Sequence, residues 1–368
     1  MDHFHFWFII IGFSYFLILF VFMYLSKKID VLNNFIALSA LFFVFIHILL
    51  FLLVMNQEVR LQPFIVPLWL LVLGIPMLFP CILVLISSLV IYIYKKKTQK
   101  DFSEMGSKIE DKRRGWSKAK KDSFRKINHV FIFIGLLVIW FGGLYIVYLI
   151  TNSSSGMIPE ENNMLLQYLK LMNEPDSIIE VLFSFGWFYY LLFFFFYLLC
   201  MFILANEFTR KSKYISFPFN VFTKFYLSEK EQDNYGSYLF FAIGQMFAAF
   251  ISPPMILFAI LGISSISDLI TSQIGIRYGK IRISWNKKKT WEGTIAGTLS
   301  TFLICLFFIG ILWSLIFSIV YLIFDIITNK PIKISDNLLI PIGCSIVYIL
   351  IRFFFNLDYY TILLSWIP

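Results

Sequence analysis

The chain has 368 residues, 59% of them hydrophobic and only 14% charged, with a net charge of +9 and a mean hydropathy of +0.80. That balance excludes an ordinary soluble domain and predicts an all-α, polytopic transmembrane bundle. The positive excess lies mostly in loops, so it reads as membrane topology and not as nucleic-acid binding. Cys81, Cys200, Cys305 and Cys344 sit far apart inside apolar runs. They read as packing residues, with no disulfide framework and no zinc site. The first apolar run begins almost at Met1 and no small-residue cleavage site follows, so no cleavable signal peptide is expected.

In chain order, three apolar stretches come first, roughly 4–25, 31–55 and 64–94. Each is long enough to cross a bilayer about 30 Å thick. The third is over-long and holds Pro67, Pro76 and Pro80, so it is expected to kink or to divide. His3, His5 and His47 lie scattered among aromatics and read as interfacial or packing residues. Residues 1–94 carry no site signature and form an accessory bundle.

Residues 95–129 form a strongly basic loop, which the positive-inside rule places in the cytoplasm. At its end Asp122, Arg125, Lys126 and His129 share one side of a helix entering the membrane. A span at about 130–150 leads to an acidic loop with Glu160, Glu161, Glu174, Asp176 and Glu180, and Asn152-Ser153-Ser154 fits a glycosylation sequon. That loop belongs on the outer face. The span at 182–205 returns to the cytoplasm and ends in Glu207 and Arg210, an i,i+3 pair. The aromatic, basic connection 212–235 suits a segment lying on the bilayer.

Residues 237–267 are broken by Ser252-Pro253-Pro254. A helical hairpin there keeps the basic loop Arg277–Lys289 cytoplasmic, whereas a single crossing would put it outside. The same reasoning divides 294–327 near Trp313. Between these hairpins, Ser264, Ser265, Asp268, Thr271, Ser272, Gly275 and Gly279 recur at helical spacing. Lys280, Arg282, Lys287, Lys288 and Lys289 follow, and Thr290 is placed to cap a new helix with Glu292 in its first turn. Cations beside a helix N-terminus make an anion-binding arrangement, with phosphate the obvious anion. Asp325 ends the divided span, and Asp336-Asn337 opens the last one, which runs to about Phe355. Residues 357–368 read as an interfacial tail. Counted this way there are about ten spans, both termini lie outside, and every polar motif reaches the cytoplasmic face.

Asp268, Gly275, Gly279 and Lys280, followed by Lys288, Lys289, Thr290, Glu292, Gly293 and Gly297, resemble the CTP-dependent membrane lipid-alcohol kinases: dolichol kinase, phytol kinase and diacylglycerol kinase of the CTP-dependent type. Phosphatidate cytidylyltransferases share a similar Lys-Thr-Trp-Glu-Gly block. Asp122-x-x-Arg125-Lys126-x-x-His129 is similar to the first kinase motif, which the cytidylyltransferases lack, with aspartate where glutamate is usual. Glu207-x-x-Arg210 and Asp336-Asn337-Leu338-x-x-Pro341 also resemble kinase motifs, and Asp325 stands where glutamate is frequent. Ser267 and Thr271 replace the family's glycine and alanine. The likeness covers roughly 120–356, the expected catalytic domain.

That resemblance implies transfer of the terminal phosphate of CTP to the hydroxyl of a lipid alcohol, a polyprenol by preference, with Mg²⁺. Carboxylates suit the metal, and lysines, arginines and backbone amides suit the phosphates. On this reading Asp268 holds Mg²⁺ or accepts the hydroxyl proton, His129 and Glu207 also qualify as base, and Asp336 is a second metal ligand. Lys280, Lys288 and Lys289 contact phosphates. Arg125, Lys126 and Arg210 contact phosphates or the headgroup, and Gly275, Gly279, Thr290 and Gly293 shape the nucleotide site. The alternatives are cytidylyl transfer to a phosphatidate and a non-catalytic transporter.

Overall fold

A computed structural model of the chain describes residues 3–26, 30–54, 63, 65–98, 115–151, 187–211, 220, 223, 227, 231 and 233–359. The acidic loop, the sequon, the middle of the basic loop, most of the aromatic connection and the end of the tail lie outside these residues. The described elements are α1 (His3–Leu25), α2 (Val31–Val54), α3 (Ile65–Trp69), α4 (Ile75–Thr98), α5 (Lys118–Thr151), α6 (Trp187–Lys211), α7 (Ser237–Ile251), α8 (Pro254–Gly262), α9 (Asp268–Arg277), α10 (Trp291–Ile327) and α11 (Asp336–Phe355). Short π-helical turns, Leu70–Gly74 and Ile263–Ser267, join α3 to α4 and α8 to α9. Eight helical stretches are long and apolar enough to cross a membrane, and α7 is a shorter apolar helix. The protein is an all-α integral membrane bundle.

The proline-rich third stretch does not divide: it runs as one 33-residue helical span, Val66–Thr98. Its irregularity is the π turn, where the Ile75 amide reaches back to the Leu70 carbonyl, and Pro80 is carried inside α4.

The chain separates into two compact units, one of residues 1–117 with 194–243 and one of 118–193 with 244–368. The first unit is pinned by buried tyrosines. Tyr15 stacks on Phe45 with ring centroids 4.1 Å apart. The Tyr197 hydroxyl donates to Tyr15 Oη at 3.1 Å and to the Leu73 carbonyl at 3.2 Å. Tyr235 stacks on Phe22 and donates to its carbonyl at 2.7 Å. Each ring buries a large apolar face; the Tyr197 and Tyr235 hydroxyls donate to backbone or phenolic oxygens, and Tyr15 Oη accepts.

The second unit is built from two hairpins and two flanking helices. Gly244 lies against the Asn337 carbonyl and Pro341, and Ser252 Oγ donates to Ser345 Oγ at 3.2 Å, so the second half of α7 runs parallel to α11. Pro253 then turns the chain with extended backbone, φ −64° and ψ 159°, and α8 begins at Pro254. Proline cannot continue α7 but suits the first position of a new helix. The chain climbs back through α8 and α9, which is the expected hairpin.

The second hairpin lies inside α10. Thr294 Oγ1 donates to Asp325 Oδ2 at 2.5 Å although 31 residues separate them. A straight helix would hold them about 46 Å apart. The fold-back is at Gly310, whose φ of 76° and ψ of 176° suit a residue without a Cβ. The expected division near Trp313 therefore falls three residues earlier, where the backbone conformation requires glycine. The two arms, 291–309 and 311–327, are each about 25–28 Å long. Trp140, Phe258, Phe308 and Phe133 pack edge to face and stacked in the apolar middle of this unit, with centroids 5.4–6.1 Å apart.

Candidate functional site

The site lies in the second unit, where the two hairpins end and α5 and α11 come alongside. The π turn before Asp268 sets its direction. The Asp268 amide bonds to the Ile263 carbonyl, five residues back. The extra residue turns Ser264 and Ser265 out of register with Asp268, which itself shares a regular helix with Thr271 and Gly275. Thr271, Gly275 and Gly279 face the first arm of α10, while the Asp268 carboxylate faces α5. Such single π turns recur at functional positions, because they re-aim a side chain within a continuous helix.

The seam between α9 and α10 consists of the predicted glycines. A Cβ on Gly293 would stand 2.7 Å from the Thr271 carbonyl and 3.1 Å from Gly275 Cα. A Cβ on Gly279 would meet Thr290, and one on Gly297 would strike Thr271 Oγ1 and the Tyr321 ring. Gly275, Gly279 and Gly293 therefore bring two backbones together at the mouth of the site. Thr290 caps α10 as expected, its Oγ1 accepting the Gly293 amide at 3.3 Å. Glu292 reaches back to accept the Lys280 and Ile281 amides, both at 3.0 Å. Thr271 and Tyr321 share a hydrogen bond of 2.6 Å behind the seam.

Two lysines and three aspartates from separate parts of the chain meet in front of it. Lys126 Nζ donates to Asp268 Oδ2 at 2.8 Å and to the Asp268 carbonyl at 2.9 Å, across 142 residues. Lys289 Nζ lies 2.5 Å from Asp325 Oδ1 and 3.7 Å from Asp336 Oδ2. Asp336 Oδ1 accepts the Asn337 amide at 3.1 Å. Lys126 and Lys289 keep 16% and 14% of their side-chain surface and Asp336 keeps 25%, whereas Asp268 and Asp325 are buried. The cluster thus opens on the Lys126–Lys289–Asp336 side. Burial opposes the charge on Lys289, but Asp325, Asp336 and Asp268 outweigh it and hold its pKa above the ordinary lysine value. Lys289 is a firmly charged ammonium.

Around this centre, Arg125 is half-buried and His129 is buried one helical turn beyond Lys126. Asp122 accepts from Gln273 Nε2 at 3.3 Å, which ties the start of α5 to α9. Lys280 and Lys288 are exposed. Asp325 carried less weight in the sequence than its position here warrants. It accepts both Lys289 and Thr294, and the signal for it was a carboxylate closing an apolar run where the resemblance has an acid.

Glu207 and Arg210 pair with each other in the first unit. Arg210 forks onto the carboxylate, Nε to Oε1 at 3.0 Å and Nη2 to Oε2 at 2.6 Å. The Gly236 amide donates to Oε2 at 3.3 Å and the Tyr238 hydroxyl donates to Oε1. Arg210 Nη2 also donates to the Asn234 carbonyl at 2.7 Å. Glu207 has no exposed surface.

Among the described residues no group of three or more histidine, cysteine, aspartate or glutamate side chains is placed to hold a metal ion by itself. Mg²⁺ commonly uses one or two carboxylates and takes its other ligands from water and phosphate oxygens. Asp268 and Asp336 suit that pattern, since Lys126 lies against the one and Lys289 against the other. Searches against protein-family models, characterised proteins and solved structures return no match.

Proposed function

We propose that the chain is a membrane kinase that transfers the terminal phosphate of a nucleoside triphosphate, CTP by resemblance, to the hydroxyl of a lipid alcohol of the polyprenol type. The observation that carries this reading is the interlocked pair of contacts Lys126–Asp268 and Lys289–Asp325/Asp336 at one end of a membrane bundle. With no ligand, the lysines neutralise the carboxylates. A metal-triphosphate offers both groups a better partner, cation to carboxylate and phosphate to ammonium, without leaving either charge stranded in a low dielectric.

Asp268 and Asp336 would hold Mg²⁺, which supplies charge neutralisation on the phosphate oxygens. Lys126 and Lys289 would pair with the phosphate chain, Lys289 held in place by Asp325, which Thr294 in turn orients. Arg125 stands beside them as a further phosphate or headgroup contact. His129, or Asp268 where it does not hold the metal, accepts the alcohol proton as the alcohol oxygen bonds to the terminal phosphorus. The bond from that phosphorus to the bridging oxygen breaks, and the nucleoside diphosphate leaves. Such chemistry rests mainly on positioning and electrostatic stabilisation. The positive-inside rule, applied to the basic loop and to the Arg277–Lys289 segment, supports a cytoplasmic orientation for this site.

The test incubates purified protein with Mg²⁺, γ-labelled CTP or ATP, and a panel of polyprenol, phytol-like and diacylglycerol acceptors. Label in lipid phosphate is the expected result. Pyrophosphate release with a cytidylyl-lipid product would replace the kinase reading with nucleotidyl transfer, and no product with any acceptor would remove it.

A further inference from the structure

The segment between α9 and α10, residues 278–290, is a folded hairpin with distinct inner and outer sides. The Ile283 amide bonds to the Lys289 carbonyl at 3.2 Å, the Trp291 amide to the Ile281 carbonyl at 3.0 Å, and the Lys289 amide to the Asn286 carbonyl at 2.9 Å. Ile283 is fully buried beneath it. Asn286 Nδ2 donates to the Thr328 and Ile326 carbonyls at 2.5 and 3.1 Å, which fastens the tip to the end of α10. Lys289 points inward to the aspartates. With Glu292 holding the Lys280 and Ile281 amides, the loop is fixed at both ends and at its tip.

Its outer side combines charge with apolar surface. Tyr278, Ile281 and Trp285 keep 68%, 62% and 50% of their surface exposed. Arg277, Lys280, Arg282, Lys287 and Lys288 are exposed around them. No acidic residue occurs between Asp268 and Glu292. Exposed apolar residues on the spans face hydrocarbon, but these three lie between the spans Pro254–Arg277 and Trp291–Ile327. A rigid loop just outside two spans, carrying a tryptophan, a tyrosine and four outward cations beside Arg277 at the end of α9, has the chemistry of an anionic headgroup layer: aromatics belong at that depth, and each lysine or arginine near the surface adds about 1 kcal/mol of attraction.

We infer that this hairpin is a docking surface for an anionic bilayer, with Trp285, Tyr278 and Ile281 seated at the headgroup–acyl boundary and Arg277, Arg282 and Lys287 on lipid phosphates. It fixes the height of Lys289, on the inner side of the same hairpin, relative to the membrane surface. The inference needs only a membrane-embedded chain and stands whether or not the protein transfers phosphate.

The experiment places the full chain in phosphatidylcholine nanodiscs doped at one mole fraction with either brominated phosphatidylglycerol or brominated phosphatidylcholine. Trp285 fluorescence is taken as the difference between wild type and Trp285→Phe. The expected result is quenching by the brominated anionic lipid at least about twofold stronger than by the zwitterionic one, with the preference lost in Arg277→Gln/Arg282→Gln/Lys287→Gln and in high salt. Equal quenching by the two lipids would overturn the proposal. So would quenching by neither, or a Trp285 signal that ignores lipid and responds only to added nucleoside triphosphate, which would give the patch to a soluble anion.

Discussion

Two buried ion-pair systems in this protein show opposite designs. In the first unit Glu207 accepts four hydrogen bonds, two per oxygen, from Arg210, Tyr238 and the Gly236 amide. Its carboxylate has no exposed surface, and its partner's fork is fixed by a bidentate geometry. In the second unit Lys126 and Lys289 reach their aspartates from flexible stems and keep some exposure, and Lys289 spans two carboxylates. Lysine is a compact charge on a mobile arm, whereas arginine in a matched fork gives up more geometry when it leaves. The Glu207–Arg210 system reads as a clamp on Asn234 and Gly236, and the lysine–aspartate system as an exchangeable site. Both resemble kinase motifs in sequence; saturation of the lone pairs separates them.

The sharpest way to break this contrast is Asp268→Asn. The amide oxygen can still accept from Lys126, and Lys126 keeps its bond to the position-268 carbonyl, so unfolding in detergent should be little changed. Lipid phosphorylation should fall by roughly 10³-fold or more. A variant that keeps near-normal turnover would remove Asp268 from the site. Glu207→Ala should behave in the reverse manner, stranding Arg210 and costing about 3–5 kcal/mol in denaturant unfolding. A stable Glu207→Ala protein that has lost only activity would erase the distinction between clamp and site.

Gly310→Ala probes the hairpin that brings Thr294 to Asp325. The positive φ with extended ψ, a conformation nearly confined to glycine, should cost about 1–3 kcal/mol, read as a lower unfolding midpoint. If stability is unchanged, the fold-back is not held at that residue. The smallest effect concerns Lys289. Its folded pKa is raised, so its stabilising contribution is fully present below the ordinary lysine value of about 10.4 and fades only as pH climbs through the higher folded value. The difference in thermal midpoint between wild type and Lys289→Met should therefore stay constant from about pH 7 to about pH 10 and shrink above that. Shrinkage near neutrality would mean that the aspartates do not hold the charge.

Much of the architecture was legible in the chain. Apolar run lengths give the spans, because backbone groups in hydrocarbon must satisfy one another along a helix. Ser252-Pro253-Pro254 gives one hairpin, since proline cannot extend α7. Loop charge required a second division near Trp313, yet not its place, because the decisive feature is the φ of a single glycine. Thr290 could be read as a cap because an N-cap is a local matter of one hydroxyl and the amide three residues on.

Apolar run length and loop charge are enough to give a helical membrane protein with two reversals and with lysines and aspartates at the ends of its spans. Which acid meets which base comes from the packing of those spans alone. The reversal at Ser252-Pro253-Pro254 carried Asp268 up to Lys126 on α5, and the fold-back at Gly310 carried Asp325 to Lys289 and Thr294. Periodicity fixes the face of a regular helix, but a π turn changes that face by one residue. Which distant ends meet depends on how backbones pack through glycines, and linear spacing does not encode that.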